Sequence, residues 1–147
     1  GEHFQTSGMV FFPRPTQRPH PPIWVGGNTR RALRRAARVG DAWHGIRLTP
    51  GELAAKRETL RRLCKEHDRE ESSVEGSLRA NVRIGETQYS DTGDRTPLTG
   101  TVDDLVDDLR RYEEAGLEYL VLSVAARDTD STIEGLHRFA DEIAPRV

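Results

Sequence analysis

A glycine pair and two polar residues, Gly26-Gly27-Asn28-Thr29, stand where a short apolar run meets an arginine-rich segment. The run before them, 21–25, is typical of a buried strand, and the segment after them has the pattern of a helix. Backbone N–H groups converge at such a junction and can bind a phosphate where side chains are absent. The side chains of Asn28 and Thr29 can add donors. Taken alone, a glycine pair favours the alternative, a tight strand-to-helix turn with no ligand.

Four further polar side chains are candidates for ligand contacts, because each stands near or after the carboxyl end of a predicted strand. They are His44, Asn81, Arg83 and Arg127. His44 is the one candidate for proton transfer, since an imidazole titrates near neutral pH. A structural role is the more common alternative for an isolated histidine, and a surface position is the common alternative for an arginine. The other histidines lack metal-ligand spacing, so no metal site is expected.

Composition argues against several classes of function. The 147 residues carry a net charge of −2, which does not favour a nucleic-acid or membrane surface. Cys64 is the only cysteine, so no intrachain disulfide is possible and a reducing, cytoplasmic location is expected. No apolar run is long enough to span a bilayer.

Periodicity predicts four strand–helix units after an irregular start. Residues 1–22 are rich in proline and are expected to form an extended arm, with a short strand at 9–12. Strands are predicted at 23–25, 41–46, 78–84 and 119–124. Helices are predicted at 29–39, 49–67, 101–115 and 131–143, and a long polar loop at 85–100.

This alternation indicates one parallel α/β domain over residues 1–147. Two architectures remain open, a small doubly wound sheet or half of a (β/α)8 barrel, since a complete barrel needs about 250 residues. In both architectures ligands bind at the carboxyl ends of the strands.

Local signals give more detailed expectations. Asn28 or Thr29 can cap the first helix, and Gly40 is expected to end it in a left-handed conformation. The segment 49–52 has the sequence of a capped helix start, and 101–104 caps the third helix. The aspartate pairs at 103–104 and 107–108 are expected on a solvated face. The last strand is expected to be buried on both faces, and the last helix to bury its apolar residues. These are Ile133, Leu136, Phe139 and Ile143.

The run Pro21-Pro22-Ile23-Trp24-Val25-Gly26-Gly27-Asn28-Thr29, followed by 32–44, closely resembles the luciferase-like monooxygenase family. The match is best to the branch that uses the deazaflavin coenzyme F420, which is common in actinobacteria. Members of the family typically show P-P-I-x-V-G-G-N/S and then R-A-A-R-x-G-D-G/A-W. The segments 49–53, 98–105 and 112–122 resemble further motifs of the family, so the resemblance covers nearly the whole chain.

The resemblance implies a (β/α)8 barrel, of which these units are the carboxyl-terminal half, strands five to eight. It implies that Gly26, Gly27, Asn28 and Thr29 contact the phosphate of F420, with FMN as the alternative cofactor. His44 would lie near the cofactor or the substrate mouth, where Asn81, Arg83 and Arg127 are the other candidates.

The implied activity is hydride transfer between F420 and an organic small-molecule substrate, with an FMN-dependent monooxygenase as the alternative within the family. Most contacts to the reactive ring system in the family come from the amino-terminal half of the barrel. The chain is therefore expected to be a fragment or split product that needs an amino-terminal half-barrel, or a chain that closes a barrel as a homodimer. A cofactor-free half-barrel that only assembles with partners is the alternative from a different class.

Overall fold

The computed structural model describes residues 2–10 and 12–147. From residue 24 onward the chain forms a parallel sheet covered by helices on one side. The strands are β1 (Trp24–Gly26), β2 (Ala42–Ile46), β3 (Glu75–Ile84), β4 (Thr99–Gly100) and β5 (Tyr119–Val124). The helices are α1 (Arg30–Val39), α2 (Pro50–Lys65), α3 (Val102–Glu114) and α4 (Thr129–Arg138). A π-helical turn (Phe139–Ile143) and a 3₁₀ turn (Ala144–Arg146) follow. The predicted order of alternating strands and helices is confirmed, with β4 as an additional two-residue strand.

The strand order selects between the two predicted architectures. All strand pairs are parallel, and the order is β1-β2-β3-β5, with β4 beside the end of β3. Each unit therefore adds its strand next to the previous one, and α1 packs on α2 and α2 on α3. A doubly wound sheet would reverse its strand order and place helices on both faces. The arrangement is that of consecutive units of a (β/α)8 barrel.

The sheet is strongly curved. Neighbouring strands lie about 4.8 Å apart, so β1 and β5 would lie about 14 Å apart in a flat sheet with two strands between them. The rings of Trp24 on β1 and Tyr119 on β5 nevertheless meet edge to face, with centroids 5.4 Å apart. They meet over the face of the sheet that points away from the helices, which we call the concave face.

The hydrophobic core lies between the opposite face of the sheet and the helices. Leu78, Ala80 and Val82 alternate along β3 onto this side and are buried. Trp43 is also fully buried there and packs in the core. The helices contribute buried side chains from their inner stripes. These include Leu33, Ala36, Ala37, Leu53, Leu60, Leu63, Leu105, Val106 and Leu109.

Threonine caps begin the first three helices where the sequence predicted them. The Thr29 side chain accepts a hydrogen bond from the Ala32 N–H and so caps α1. Thr49 and Thr101 form full capping boxes with the acidic residue three positions later. These short-range patterns determine the helix starts because all of their partners lie within one turn.

The predicted left-handed conformation at Gly40 is wrong. Its backbone is extended, with φ −91° and ψ 151°. Glycine is needed here for a different reason, because a Cβ would lie 3.0 Å from the Ala36 carbonyl oxygen and 3.1 Å from Val25 Cγ2. The chain turns from α1 into β2 in close contact with the core.

The prediction of a solvated face is wrong for Asp108, which is only 1% exposed. Its carboxylate accepts two hydrogen bonds from Arg95, at 2.7 and 2.8 Å, and one from the Leu98 N–H at 2.7 Å. The hydrogen bond from Arg95 to Asp108 raises the pKa of the arginine. This pair fastens the segment 86–98 to α3, so the polar loop has a fixed anchor.

The carboxyl-terminal elements are less buried than predicted. Tyr119 and Val121 are exposed on the concave face of β5, and Ile133 and Leu136 are about half exposed on α4. Ile143 is fully buried, as expected, and Phe139 partly. No described element covers these faces of β5 and α4. The pattern of apolar residues predicts burial but does not show whether a covering element is present.

The amino-terminal arm lies outside the sheet. Residues 2–10 and 12–20 are exposed and form no helix or strand. The predicted strand is therefore absent at Met9, Val10 and Phe12, whereas Phe11 lies outside the described residues.

Candidate functional site

The loop after β1 is held in shape by its glycines and by β2. Gly27 has φ +117°, a conformation that favours glycine, and its N–H donates to the His44 carbonyl at 3.1 Å. Its own carbonyl accepts a hydrogen bond from Trp43 Nε1 at 2.8 Å. A Cβ at Gly27 would also lie 3.2 Å from the Ala32 Cβ. The loop is therefore fixed by the buried tryptophan on one side and by the backbone of β2 on the other.

The Asn28 side chain holds the same loop against the end of β2. Its Nδ2 donates to the Ile46 carbonyl at 2.8 Å, and its Oδ1 accepts from the Ile46 N–H at 3.0 Å. This pairing uses the amide oxygen and one of the two amide hydrogens. The side chain thus supports the loop, and the Asn28 backbone N–H remains available.

The start of α1 has the groups that bind an anion. Among the described residues, the backbone N–H groups of 28–31 have no hydrogen-bond acceptor. Next to them, Gly26 leaves open space, since a Cβ there would meet no atom within 4 Å. The Thr29 hydroxyl lies at the same end and is exposed. Free N–H groups at the positive end of a helix dipole are a suitable site for a phosphate.

The charges around α1 point to the same chemistry. The first turns of α2, α3 and α4 each contain a carboxylate, whereas the first turn of α1 contains none and carries Arg30 and Arg31. Both arginines are exposed, and neither forms an ion pair within residues 2–10 and 12–147. Cations at a helix start are unfavourable by some tenths of a kcal/mol, and a bound anion would reverse that effect.

His44 lies beside this loop, on the concave face of β2. It pairs in register with Gly26 on one side and with Ser77 on the other. Its Nδ1 lies 2.8 Å from Ser77 Oγ, and its ring centroid lies 5.8 Å from that of Trp24. Sequence reasoning missed Ser77, because the third strand was predicted to begin at Leu78. Extending the strand by one residue would have found it, because Ser77 continues the alternation of Arg79, Asn81 and Arg83.

The concave face around His44 is apolar and accessible. Trp24 is 42% exposed, Ile46 43% and Tyr119 58%. Trp24 contacts both His44 and Tyr119, so these aromatic rings form one surface next to the loop 26–29. Such a surface can pack against a planar ring or against another layer of protein.

Two of the remaining candidates line a cavity of about 540 Å³ between the end of β2, the end of β3 and the segment 88–97. Asn81 lies on this cavity, and its side chain makes no hydrogen bond within the described chain. Arg83 lies there too and forms an ion pair with Glu86 at 3.1 Å. Arg47, which follows Ile46 directly, also lines the cavity, so the cavity adjoins the loop held by Asn28.

Tyr112 closes the inner side of this cavity. Its hydroxyl donates to the Leu48 carbonyl at 2.6 Å. Burial raises the pKa of Tyr112 well above its ordinary value. The phenol therefore stays neutral and is a structural donor rather than a base.

The structure thus brings the candidate residues together in two places. Gly26, Gly27, Asn28 and Thr29 meet His44 at the first, and Asn81 and Arg83 lie at the second. Arg127 lies outside both, exposed in the loop between β5 and α4. No group of three or more His, Cys, Asp or Glu side chains in the described part of the chain could hold a metal ion.

Comparison with known proteins decides the family. The family model described as luciferase-like monooxygenase matches residues 1–90, which is more than half of the chain. The chain belongs to the luciferase-like monooxygenase family. The matched part includes the loop 26–29 and His44.

Solved structures of the family share the fold. An F420-dependent secondary alcohol dehydrogenase, in complex with an F420–acetone adduct, is 13% identical with a TM-score of 0.77, over 100% of this chain and 54% of that one. A coenzyme F420 dependent tetrahydromethanopterin reductase from Methanopyrus kandleri is 12% identical with a TM-score of 0.67, over 84% and 50%. A riboflavin lyase with modified FMN is 12% identical with a TM-score of 0.65, over 86% and 42%. The predicted fold class, part of a luciferase-like barrel, is confirmed, and the chain spans about half the length of these structures.

No α-helix within residues 2–10 and 12–147 is both long and apolar enough to cross a membrane.

Proposed function

We propose that the chain is the carboxyl-terminal half of a luciferase-like oxidoreductase and binds the phosphate of its cofactor at residues 26–31. The observation that carries this proposal is the start of α1, where the N–H groups of 28–31 are free and no carboxylate compensates the helix dipole. Gly26 leaves open space for a ligand at the backbone, Gly27 allows the turn with its positive φ, and the Thr29 hydroxyl adds a donor.

F420 is the proposed cofactor and FMN is the alternative. Both carry a phosphate, so the loop fits either one, and both occur in the names of the solved structures. The cofactor would supply the hydride chemistry, while the protein supplies binding and orientation. The residues of this chain hold the phosphate at one end and offer the apolar surface of Trp24 and Tyr119 beside His44.

His44, Asn81, Arg83 and Arg127 are the proposed contacts to an organic substrate or to the cofactor. Asn81 and Arg83 would bind polar groups of a molecule in the 540 Å³ cavity. The size suits a small organic molecule, since ligand pockets commonly measure about 300–1,000 Å³.

The proposed location is the cytoplasm, since a chain with a single cysteine is typical of a reducing compartment.

We also propose that the barrel is closed by a second half. β1 and β5 are the two outer strands of the sheet, and no described strand pairs with their outer edges. Open, apolar strand edges pair readily with further strands. The exposed rings of Trp24 and Tyr119 would be covered by the same partner. An amino-terminal half-barrel is the proposed partner, and a second copy of this chain is the alternative.

The exposed concave face also favours the second candidate function, a half-barrel that only assembles with partners and binds no cofactor. Titration of the purified chain with F420 and with FMN, followed by fluorescence quenching, separates the two. Micromolar binding of F420 but not of FMN supports the first proposal, and binding of FMN alone supports the alternative cofactor. Binding of neither, with a dimer in size-exclusion chromatography, supports the assembly function.

A glycine variant tests whether the ligand binds at the loop. A Cβ at Gly26 meets no protein atom within 4 Å, so Gly26→Ala should fold normally but weaken cofactor binding several-fold. Gly51→Ala is the matched control, because Gly51 also has open space around its Cα but lies on α2. Equal affinities for both variants and the wild type would contradict the proposed site.

A further inference from the structure

Ser77 lies at the level of His44 on the neighbouring strand. It is fully buried, and its hydroxyl donates to the Trp43 carbonyl at 3.1 Å. A serine hydroxyl has one proton to donate, so toward any other partner its oxygen can only accept. His44 Nδ1 lies 2.8 Å from this oxygen. With the serine proton on the Trp43 carbonyl, Nδ1 carries a proton and donates it to the Ser77 oxygen.

We propose that Ser77 is a positioning residue that holds His44 in the Nδ1–H tautomer and leaves the Nε2 lone pair free beside the loop 26–29. A free histidine side chain in water favours the other tautomer, with the proton on Nε2, so the protein must impose this one. Within the described residues, Nε2 of His44 makes no hydrogen bond. The tautomer of a histidine is commonly determined by the hydrogen bond of its other ring nitrogen.

The same hydrogen bonds connect His44 to the proposed phosphate loop. The Trp43 carbonyl accepts from Ser77, and the Trp43 indole donates to the Gly27 carbonyl at 2.8 Å. The Gly27 N–H in turn donates to the His44 carbonyl at 3.1 Å. One set of bonds therefore determines both the orientation of the imidazole and the shape of the loop.

The tautomer determines which ligand groups His44 can meet. A neutral Nε2 accepts a hydrogen bond or a proton, so it suits an O–H or N–H group of the bound molecule and not a carbonyl oxygen. This role toward a ligand rests on the proposed function. The tautomer itself depends only on Ser77 and Trp43.

The tautomer can be measured directly by ¹⁵N NMR of the imidazole nitrogens. The full chain is labelled with ¹⁵N-histidine and studied at pH 8, where a histidine is ordinarily neutral. His44→Gln assigns the resonances of His44. The expected result for the wild type is a protonated Nδ1 and an unprotonated Nε2.

Two variants test the cause. Ser77→Ala should move the proton of His44 mainly to Nε2, while the Trp43 indole N–H resonance stays in place and reports an intact fold. Ser123→Ala is the matched control, because Ser123, on β5, also lies on the concave face of the sheet and does not contact His44. It should leave the tautomer unchanged.

A wild-type His44 with its proton on Nε2 would overturn the proposal without the need for any variant. An unchanged tautomer in Ser77→Ala would overturn it as well. Cofactor titration is independent of both results. The expected tautomer in a chain that binds neither F420 nor FMN would refute the proposed function alone, and cofactor binding with the wrong tautomer would refute only the role of Ser77.

Discussion

Replacement of Asn28 by alanine should lower the free energy of unfolding, because its side chain fastens the loop after β1 to the end of β2 by two hydrogen bonds. The amide donates to the Ile46 carbonyl at 2.8 Å and accepts from the Ile46 N–H at 3.0 Å. Each hydrogen bond contributes about 0.5–1.5 kcal/mol net, which gives about 1–3 kcal/mol for two. Ile46 is 43% exposed, so water can replace part of the loss. We expect the lower half of this range, about 1–2 kcal/mol.

Urea denaturation measures this difference as a lower midpoint with an unchanged slope. Asn81→Ala is the matched control, since Asn81 is the other asparagine in the sequence, is exposed, and has no side-chain hydrogen bond in the described chain. It should change the free energy of unfolding by less than about 0.5 kcal/mol. Equal effects of the two substitutions, or a loss below about 0.5 kcal/mol for Asn28→Ala, would refute the assigned role.

Three other changes test the framework around the site. Asp108→Ala removes the anchor of the segment 86–98 and should lower the free energy of unfolding by about 2–3 kcal/mol in urea denaturation. This loss is smaller than for a fully buried ion pair, because the Arg95 side chain is partly exposed. The control Asp107→Ala, at an exposed position, should be nearly neutral. Gly76→Ala would place a Cβ 2.8 Å from a buried guanidinium and should lower stability by about 1–3 kcal/mol, while Gly51→Ala, with open space, should be neutral or slightly stabilising. Hydrogen bonds from the backbone and side chain of the N-cap threonine lower the pKa of Glu52, so its contribution is present above about pH 4.5 and is lost as the pH falls. The stability difference between wild type and Glu52→Gln should therefore shrink between pH 6 and pH 3.5, and a constant difference would contradict this sign.

Much of the fold could be predicted because its signals are local. The caps at Thr29, Thr49 and Thr101 involve partners within one turn, and alternation along β3 shows which face is buried. The choice between a doubly wound sheet and a barrel needed the strand order, which no local pattern contains.

Contacts between distant segments could not be predicted from the sequence. Asp108 looks like a surface residue of a charged helix, and only the position of Arg95 shows that it is buried. Ser77 becomes important only because the register places it beside His44. Gly40 stood at a helix end, where a left-handed glycine is common, and the reason for its presence is instead close packing against Val25.

For the candidate site, sequence reasoning found the positions but not their contacts. The loop 26–29 follows the first predicted strand and His44 lies near the end of the second, and the structure brings them together. The Asn28 side chain was expected to face a ligand, whereas it hydrogen-bonds to the backbone of Ile46. An asparagine in a loop can bind a ligand or hydrogen-bond to the backbone of the protein, and only its partner in the structure distinguishes these roles.

The most direct test of the proposed phosphate site is an NMR titration of the ¹⁵N-labelled chain with F420, repeated with FMN. We predict that the backbone amide resonances of Asn28, Thr29, Arg30 and Arg31 shift most, because their N–H groups are free to bind the phosphate. The amides at the start of α3, where Asp104 already accepts from the cap, should stay in place. Saturable binding of either cofactor with shifts elsewhere and none at residues 28–31 would contradict the account.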